Sequence, residues 1–375
     1  MRSAILLGLT CVGIVTVDSA FANAAEPAVM KLMAPLPYQV VQREGWIPER
    51  AGPHEPGGPV RGDAAVPVSG TSTDNPQAAF LFRAVPLWDA FGQGVDWTEF
   101  RPKREGRSFS GQVTVPAGGW YRLEVRADVD GKTVSASTVE PFGVGEIFVV
   151  AGQSYAEGAN DELLSVEDPQ GRVVAFDNIL GKWRVAKDPQ PNRGTGGTIW
   201  PPMGNALLPI AQVPIAFVNV ASGGTSSRQW LPGEPLYNNL EAAGKTIGRF
   251  RAVLWQQGES DVIENVSTET YVKNLTLIRL KLAESWRFSP PWLAAKSTLH
   301  PTVYNRPVEE GRIRAAIDQL WKTEGFRPGP DTDILDGENR GGVGTRRHFS
   351  GIGQRRAGLM WFAATWSELN RSPSK

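Results

Sequence analysis

Glu146-Ile147-Phe148-Val149-Val150-Ala151-Gly152-Gln153-Ser154 is the stretch whose reading decides the fold. Its compact apolar run has the length and composition of a strand, and it stops abruptly at a glycine. A serine placed after a glycine at a strand-to-helix turn presents its hydroxyl outward, with no neighbouring side chain in the way of attack. An N-cap serine would occupy the same position, so the tripeptide alone supports both readings.

Three similar apolar segments follow, at 213–220, 252–255 and 292–296, with helical patterns between them. Leu236, Leu240, Ala243 and Ile247 repeat at helical spacing, as do Tyr271, Leu275, Ile278 and Leu282. Pro307 suits the first turn of a helix carrying Ile313, Ile317 and Leu320. A last helix is expected after Ser350, with Leu359, Phe362 and Trp366. Strands alternating with helices predict an α/β domain around a parallel sheet, spanning 143–375. Ligands of such sheets gather beyond the carboxyl ends of the strands. The Gly/Pro/Asn-rich stretch 155–205 reads as one long functional connection.

Upstream, 36–142 has β character throughout. Trp120-Tyr121-Arg122-Leu123-Glu124-Val125-Arg126 alternates apolar with charged residues, and Asp130-Gly131 marks a hairpin turn. A small all-β sandwich is expected there, preceded by a linker at 25–35. Residues 1–24 read as a signal peptide: Arg2, an apolar run, then Ala20-Phe21-Ala22, with Ala22-Asn23-Ala24 as a second cleavage pattern. A secreted or periplasmic protein of the bacterial cell envelope is the expectation. No later stretch is apolar and long enough to cross a bilayer, so no stable membrane insertion is expected once the signal is cleaved. The one cysteine, Cys11, lies inside that segment, leaving no thiol for disulfides, catalysis or metal in the mature chain.

The whole chain has 375 residues, with 39 Lys+Arg balancing 39 Asp+Glu. Zero net charge provides no long-range field for nucleic acid. Thirteen tryptophans are enough to fill cores and to leave some for stacking on sugars; Trp183 and Trp200 fall in the long connection.

Two further polar clusters follow predicted strands. In Ala221-Ser222-Gly223-Gly224-Thr225 the adjacent glycines leave backbone N–H groups open to a developing oxyanion, although a tight turn would use the same pair. In Trp255-Gln256-Gln257-Gly258-Glu259-Ser260-Asp261, Gln257 is placed to donate to an oxyanion, while Glu259 or Asp261 is placed to orient a histidine; helix capping is the plainer role of Ser260 and Asp261. The histidines are His54, His300 and His348. His54 sits in the β region, and His300 follows a predicted strand. His348, just before the last helix, is the best placed to reach the strand ends as a general base.

Taken in order, Val-Ala-Gly-Gln-Ser at 150–154, Gly-Gly-Thr with Trp230, Trp-Gln-Gln-Gly-Glu-Ser-Asp at 255–261 and His-Phe-Ser-x-x-Gly at 348–353 resemble the SGNH hydrolase superfamily. The nearest branch is the sialate O-acetylesterase and acetylxylan-esterase-like carbohydrate esterases, over about 143–368. The resemblance implies a flavodoxin-like parallel sheet, a Ser154 nucleophile and a His348 base. It implies an oxyanion hole from the Ser154 N–H, a Gly223 or Gly224 N–H and the Gln257 side chain. Glu259 would be the triad acid, with Asp336, Asp333 and Asp261 as alternatives, because the Asp-x-x-His signature is replaced by Thr345. Tyr155 stands where the family usually has Asn; Gln153, Tyr155 and Trp200 are assigned to substrate binding. The implied partner is an acylated carbohydrate, with no metal and no organic cofactor. The rival readings are a non-catalytic glycan-binding protein on the same scaffold and a lipase or thioesterase.

Overall fold

The computed structural model describes residues 30–46, 61–88, 92–299, 305–342 and 346–371. The signal segment with Cys11, and His54, His300 and Thr345, lie outside the described residues.

The β region supplies β1 (Lys31–Ala34), β2 (Val40–Gln42), β3 (Asp63–Thr71), β4 (Ala79–Pro86), β5 (Val95–Phe100), β6 (Lys103–Glu105), β7 (Ser108–Pro116) and β8 (Gly119–Val129). One sheet runs β1-β3-β7-β6; facing it, β4 pairs with β5 and β8. Strand alternation sends Val66 and Val68 of β3 inward against Phe80 and Phe82 of β4, and Phe80 meets Phe109 of β7 at 4.9 Å between ring centres. The sandwich reading therefore holds. The stretch read as a linker contributes β1, paired antiparallel with β3. The Asp130-Gly131 hairpin is built from two residues with positive φ, 49° and 72°, the geometry of a two-residue turn.

The chain then enters β9 (Lys132–Gly152), 21 residues long. Its first half pairs antiparallel with β8 and alternates in burial; from Phe142 onward every residue is buried. That change from one covered face to two marks the passage from sandwich to central sheet. The two domains are thus joined through a continuous strand, which crosses the expected 142/143 division without a break.

Beyond α1 (Ser154–Glu157) come β10 (Val173–Asp177), β11 (Lys182–Val185), α2 (Trp200–Ala211), β12 (Ile215–Asn219), α3 (Pro235–Ile247), β13 (Ala252–Gln256), α4 (Glu259–Ile263), α5 (Thr268–Trp286), β14 (Trp292–Lys296), α6 (Pro307–Leu320), β15 (Phe326–Asp331) and α7 (Gly351–Leu369). The parallel core order β12-β9-β13-β14-β15 is the flavodoxin-like one, in which the first strand lies between the second and third. The stretch 155–205 is not one open connection: its β10–β11 hairpin extends the sheet beyond β12, with β10 parallel to β12. Helices α2 and α7 pack on one face, and α3, α5 and α6 on the other. Ser154 therefore emerges beside β12 and β13, where the chain changes direction in the sheet and ligands are expected.

Candidate active site

Ser154 is positioned by its neighbours before it does anything chemical. Gly152 has φ +131°, and a Cβ there would fall 2.0 Å from the Gln256 carbonyl oxygen, so only glycine lets β9 lie this close to β13. The Gln153 N–H donates to the same oxygen at 2.9 Å. On the far side of the turn, Trp200 Nε1 and Asn219 Nδ2 both donate to the Ala156 carbonyl, at 2.9 and 2.8 Å. Ser154 opens α1, and a first-turn N–H has no intrahelical acceptor, so its amide is available to an anion.

The glycine pair after β12 lies alongside. A Cβ on Gly223 would sit 3.6 Å from Ser154 Cβ. The Gly223 N–H, however, is taken: it donates to Glu157 Oε2 at 2.8 Å. The Gly224 N–H has no acceptor among the described residues. Gln257 departs from the expected role. It is fully buried, and its amide donates to Thr225 O at 3.1 Å, to Gln153 Oε1 at 3.3 Å and to Asp261 Oδ2, while Tyr271 donates to its Oε1 at 3.0 Å. Two N–H protons already shared among three acceptors leave none for an oxyanion. The amide instead ties the 225 loop to the end of β13.

His348 lies in the turn before α7. Its ring meets the Tyr155 ring edge-on, 5.5 Å between centres, and Tyr155 stacks on Phe349 at 4.7 Å. The Tyr155 hydroxyl donates to Arg347 O at 2.5 Å and accepts from Arg340 Nη1 at 2.5 Å. Asn160 completes the link, with Phe349 N donating to its Oδ1 at 3.2 Å. The residue after the serine is therefore fastened to the residues on either side of the histidine. His348 Nε2 is buried with no hydrogen-bond partner, and no hydrogen bond joins it to Ser154 among the described residues. Burial foremost, then the Arg347 charge, pulls its pKa down to about 4, against the opposing pull of Asp161. The imidazole is thus neutral, the form a general base needs.

The expected acids do not meet this histidine. Glu259 is fully buried; its Oε1 accepts from Ser297 Oγ at 2.8 Å and its Oε2 has no partner. Burial pushes its pKa up to about 8, so it is a neutral acid at pH 7, unsuited to stabilising an imidazolium. Asp333 is saturated by Thr298 N, Thr298 Oγ1, Leu299 N and Arg314. Asp261, raised to about 6 by burial, accepts from the Ser227 N–H and hydroxyl. Asp336 is exposed. Asp161, whose charge opposes the lowering of the His348 pKa, is held in the same turn region: its Oδ2 accepts from Gly342 N at 2.6 Å and its own N–H donates to Phe349 O.

The residues assigned to substrate need correction too. Trp200 is fully buried against Phe217 and Trp361, a core residue rather than a sugar platform, and Trp183 is buried against Phe176. Tyr155 is buried and serves as the peg between the two turns. Gln153, also buried, accepts from the Gly258 and Ser260 N–H groups, each at 3.3 Å. The open space beside Ser222 is instead a cleft of about 220 Å³ bordered by Asn178, Asn192, Arg193, Leu236 and Asn239. Glu157, Asp161 and Arg340 escaped the sequence reading, although the first two follow Ser154 within seven positions. Two carboxylates so close after the candidate nucleophile were the available signal.

Residues 144–288 match the family model described as carbohydrate esterase, sialic acid-specific acetylesterase. Over 161 residues the chain is 30% identical to a probable carbohydrate esterase of Arabidopsis thaliana, which covers 36% of this chain and 62% of that protein; the chain thus spans under two thirds of its relative's length. Among solved structures, a carbohydrate acetylesterase from Xanthomonas citri superposes with a TM-score of 0.53 at 17% identity, covering 88% of this chain and 74% of that one. That likeness establishes the fold, sandwich included. An Arabidopsis thaliana protein of known structure aligns with a TM-score of 0.49 and 21% identity, over 60% of this chain and 98% of that one.

Proposed function

Since residues 144–288 match the model of the sialic acid-specific acetylesterase family of carbohydrate esterases, we propose that the protein is a serine esterase that removes O-acetyl groups from a carbohydrate. Ser154 Oγ attacks the ester carbonyl while His348 takes its proton. The oxyanion rests on the Ser154 and Gly224 N–H groups. His348 then protonates the leaving sugar oxygen, and the acetyl-serine forms. Water attacks that ester with His348 again as base, releasing acetate and regenerating the hydroxyl. Asp161 favours the transient imidazolium by its charge.

The observation that carries this reading is the peg: Tyr155, next to the nucleophile, bonded at 2.5 Å to the carbonyl of Arg347, next to the base. It brings the two turns together across 192 residues of sequence separation. Serine–histidine contacts commonly tighten only when substrate is bound, so the unpartnered Nε2 is compatible with the role. A fluorophosphonate probe should label Ser154 covalently, and acetate should be released from acetylated xylan or acetylated sialic acid. Glycan binding with neither labelling nor release would instead make the protein a binding module on an esterase scaffold.

Export through the residue 1–24 signal to the cell envelope belongs to the same proposal. No helix among the described residues is long and apolar enough to cross a membrane. Amino-terminal sequencing of the mature protein tests it; a chain still beginning at Met1 is the result against.

A further inference from the structure

Glu157 stands three residues after the nucleophile, on the same short turn, and its carboxylate holds the Gly223 N–H at 2.8 Å. That N–H lies beside Ser154: a Cβ on Gly223 would come within 2.6 Å of Glu157 Oε2 and 3.6 Å of Ser154 Cβ. A carboxylate on this donor blocks its use by an oxyanion, because two negative charges cannot share one N–H without strong repulsion. Glu157 Oε1 has no hydrogen-bond partner among the described residues. Burial raises the Glu157 pKa, and the Gly223 N–H and the charge of Arg193, which borders the neighbouring amide-rich cleft, oppose that rise. The carboxylate therefore lies beside the serine, on the backbone N–H that follows Ser222, and Ser222 borders the amide-lined cleft.

Resting on the esterase reading, we propose that Glu157 is a specificity residue that keeps the Gly223 N–H occupied until a hydroxyl of the substrate takes over its carboxylate. A sugar hydroxyl neighbouring the ester donates to Glu157, the carboxylate leaves Gly223, and the freed N–H joins those of Ser154 and Gly224 around the oxyanion. An ester without such a hydroxyl meets a partly closed oxyanion hole. Selectivity for esters of polyols then arises from the catalytic step as well as from binding, since the extra donor is recruited only by the right substrate.

The test compares wild type with Glu157→Ala and Glu157→Gln in the full chain, on p-nitrophenyl acetate and on an acetylated monosaccharide. Glu157→Ala should raise kcat/KM on the aryl ester by about tenfold, the worth of one charge-assisted hydrogen bond, and lower it on the sugar ester by a similar factor. Glu157→Gln, which keeps shape and loses charge, should move both rates in the same directions by less. The crossing of the two substrates is the signature, because a residue that only braces the turn lowers both rates together. Parallel loss or no change on both substrates, with thermal unfolding unaltered, overturns the proposal while leaving the esterase reading in place. A wild-type protein that hydrolyses neither ester and takes no fluorophosphonate overturns both.

Discussion

Strand β9 has two polar sites along its course, one within its buried stretch and one beyond its end, and the two are opposites. Within the stretch, Glu146 is wholly buried, yet both its oxygens are paired: Arg43 Nε at 2.6 Å and Arg251 Nε at 2.7 Å, with Gln42 Nε2 at 2.9 Å. Burial alone would raise its pKa; the Arg251 and Arg43 charges reverse that and hold it at about 2. At the other end, beyond Ser154, Glu259 and His348 are buried with an unpartnered atom apiece. Each is held in its neutral form by burial. The paired Glu146 carboxylate pins strands and segments together, although Arg43 Nη2 of the same cluster is buried without a partner: Arg43 follows β2 and Arg251 precedes β13, so the cluster joins sandwich to sheet. Buried polar atoms left unbonded are costly, and Glu259 and His348 each carry one beside the candidate site. The same strand thus carries an anchor along its length and the candidate nucleophile just past its end.

That contrast is broken most severely at Ser154. Ser154→Ala should lower ester turnover by about 10⁴-fold or more while leaving the thermal unfolding midpoint in place. Undiminished p-nitrophenyl acetate hydrolysis by the purified variant would remove Ser154 from the mechanism. Glu146→Ala should do the reverse. Breaking a buried, hydrogen-bonded charge cluster typically costs about 3–5 kcal/mol, because Arg43 stays fully buried, and Arg251 half-buried, without the counter-charge. Denaturant unfolding should show that loss, and active-site titration should find near-normal activity per folded molecule. A stable Glu146→Ala protein would mean the cluster is ornament.

How much of this was legible in the sequence follows the same divide. The apolar run at 146–151 announced its strand because burial on both faces leaves an unbroken hydrophobic signal. The Ser350 cap likewise announced α7, accepting from Gly353 N. β15 was missed: Phe-Arg-Pro-Gly-Pro-Asp has no strand pattern, and it is a strand only because it lies at the sheet edge, where prolines cost little. Motif order singled out Ser154 and His348, whose turns the Tyr155 contacts bring together. The partners of Gln257 and Glu259 were not, since a motif gives residue type and not the direction of a side chain. Trp200 misled for a related reason: a tryptophan among prolines and glycines looks like a loop platform, but Pro201 and Pro202 start α2 and turn it into the core.

A smaller effect is expected at Asp161. Asp161→Asn removes the carboxylate that favours protonated His348, and about a tenfold fall in kcat is expected, equivalent to about 1.4 kcal/mol. The sign of the pH effect is fixed as well. Asp161 raises the His348 pKa, so its loss lowers that pKa below about 4 and moves the acid limb of kcat/KM to lower pH. A limb that stays still or moves upward would disconnect Asp161 from the base.

The smallest change is predicted for Glu259→Gln, and it separates the two acids. Were Glu259 the acid of the triad, its loss would cost as much turnover as that of any orienting carboxylate. As a buried neutral acid bonded to Ser297, it should be replaceable by an amide with activity kept within a few-fold. Its signature lies in stability. A carboxyl raised to about 8 binds its proton more tightly when folded, so its contribution is full below its unfolded pKa and is lost as pH rises through 8. An amide does not titrate. Melting wild type and Glu259→Gln at pH 5, 7 and 9 should therefore show the variant gaining relative stability toward alkaline pH. Curves that run parallel across that range, or a collapse of activity in the variant, would return Glu259 to the catalytic group and erase the difference between the partners of the base and the packing beneath it.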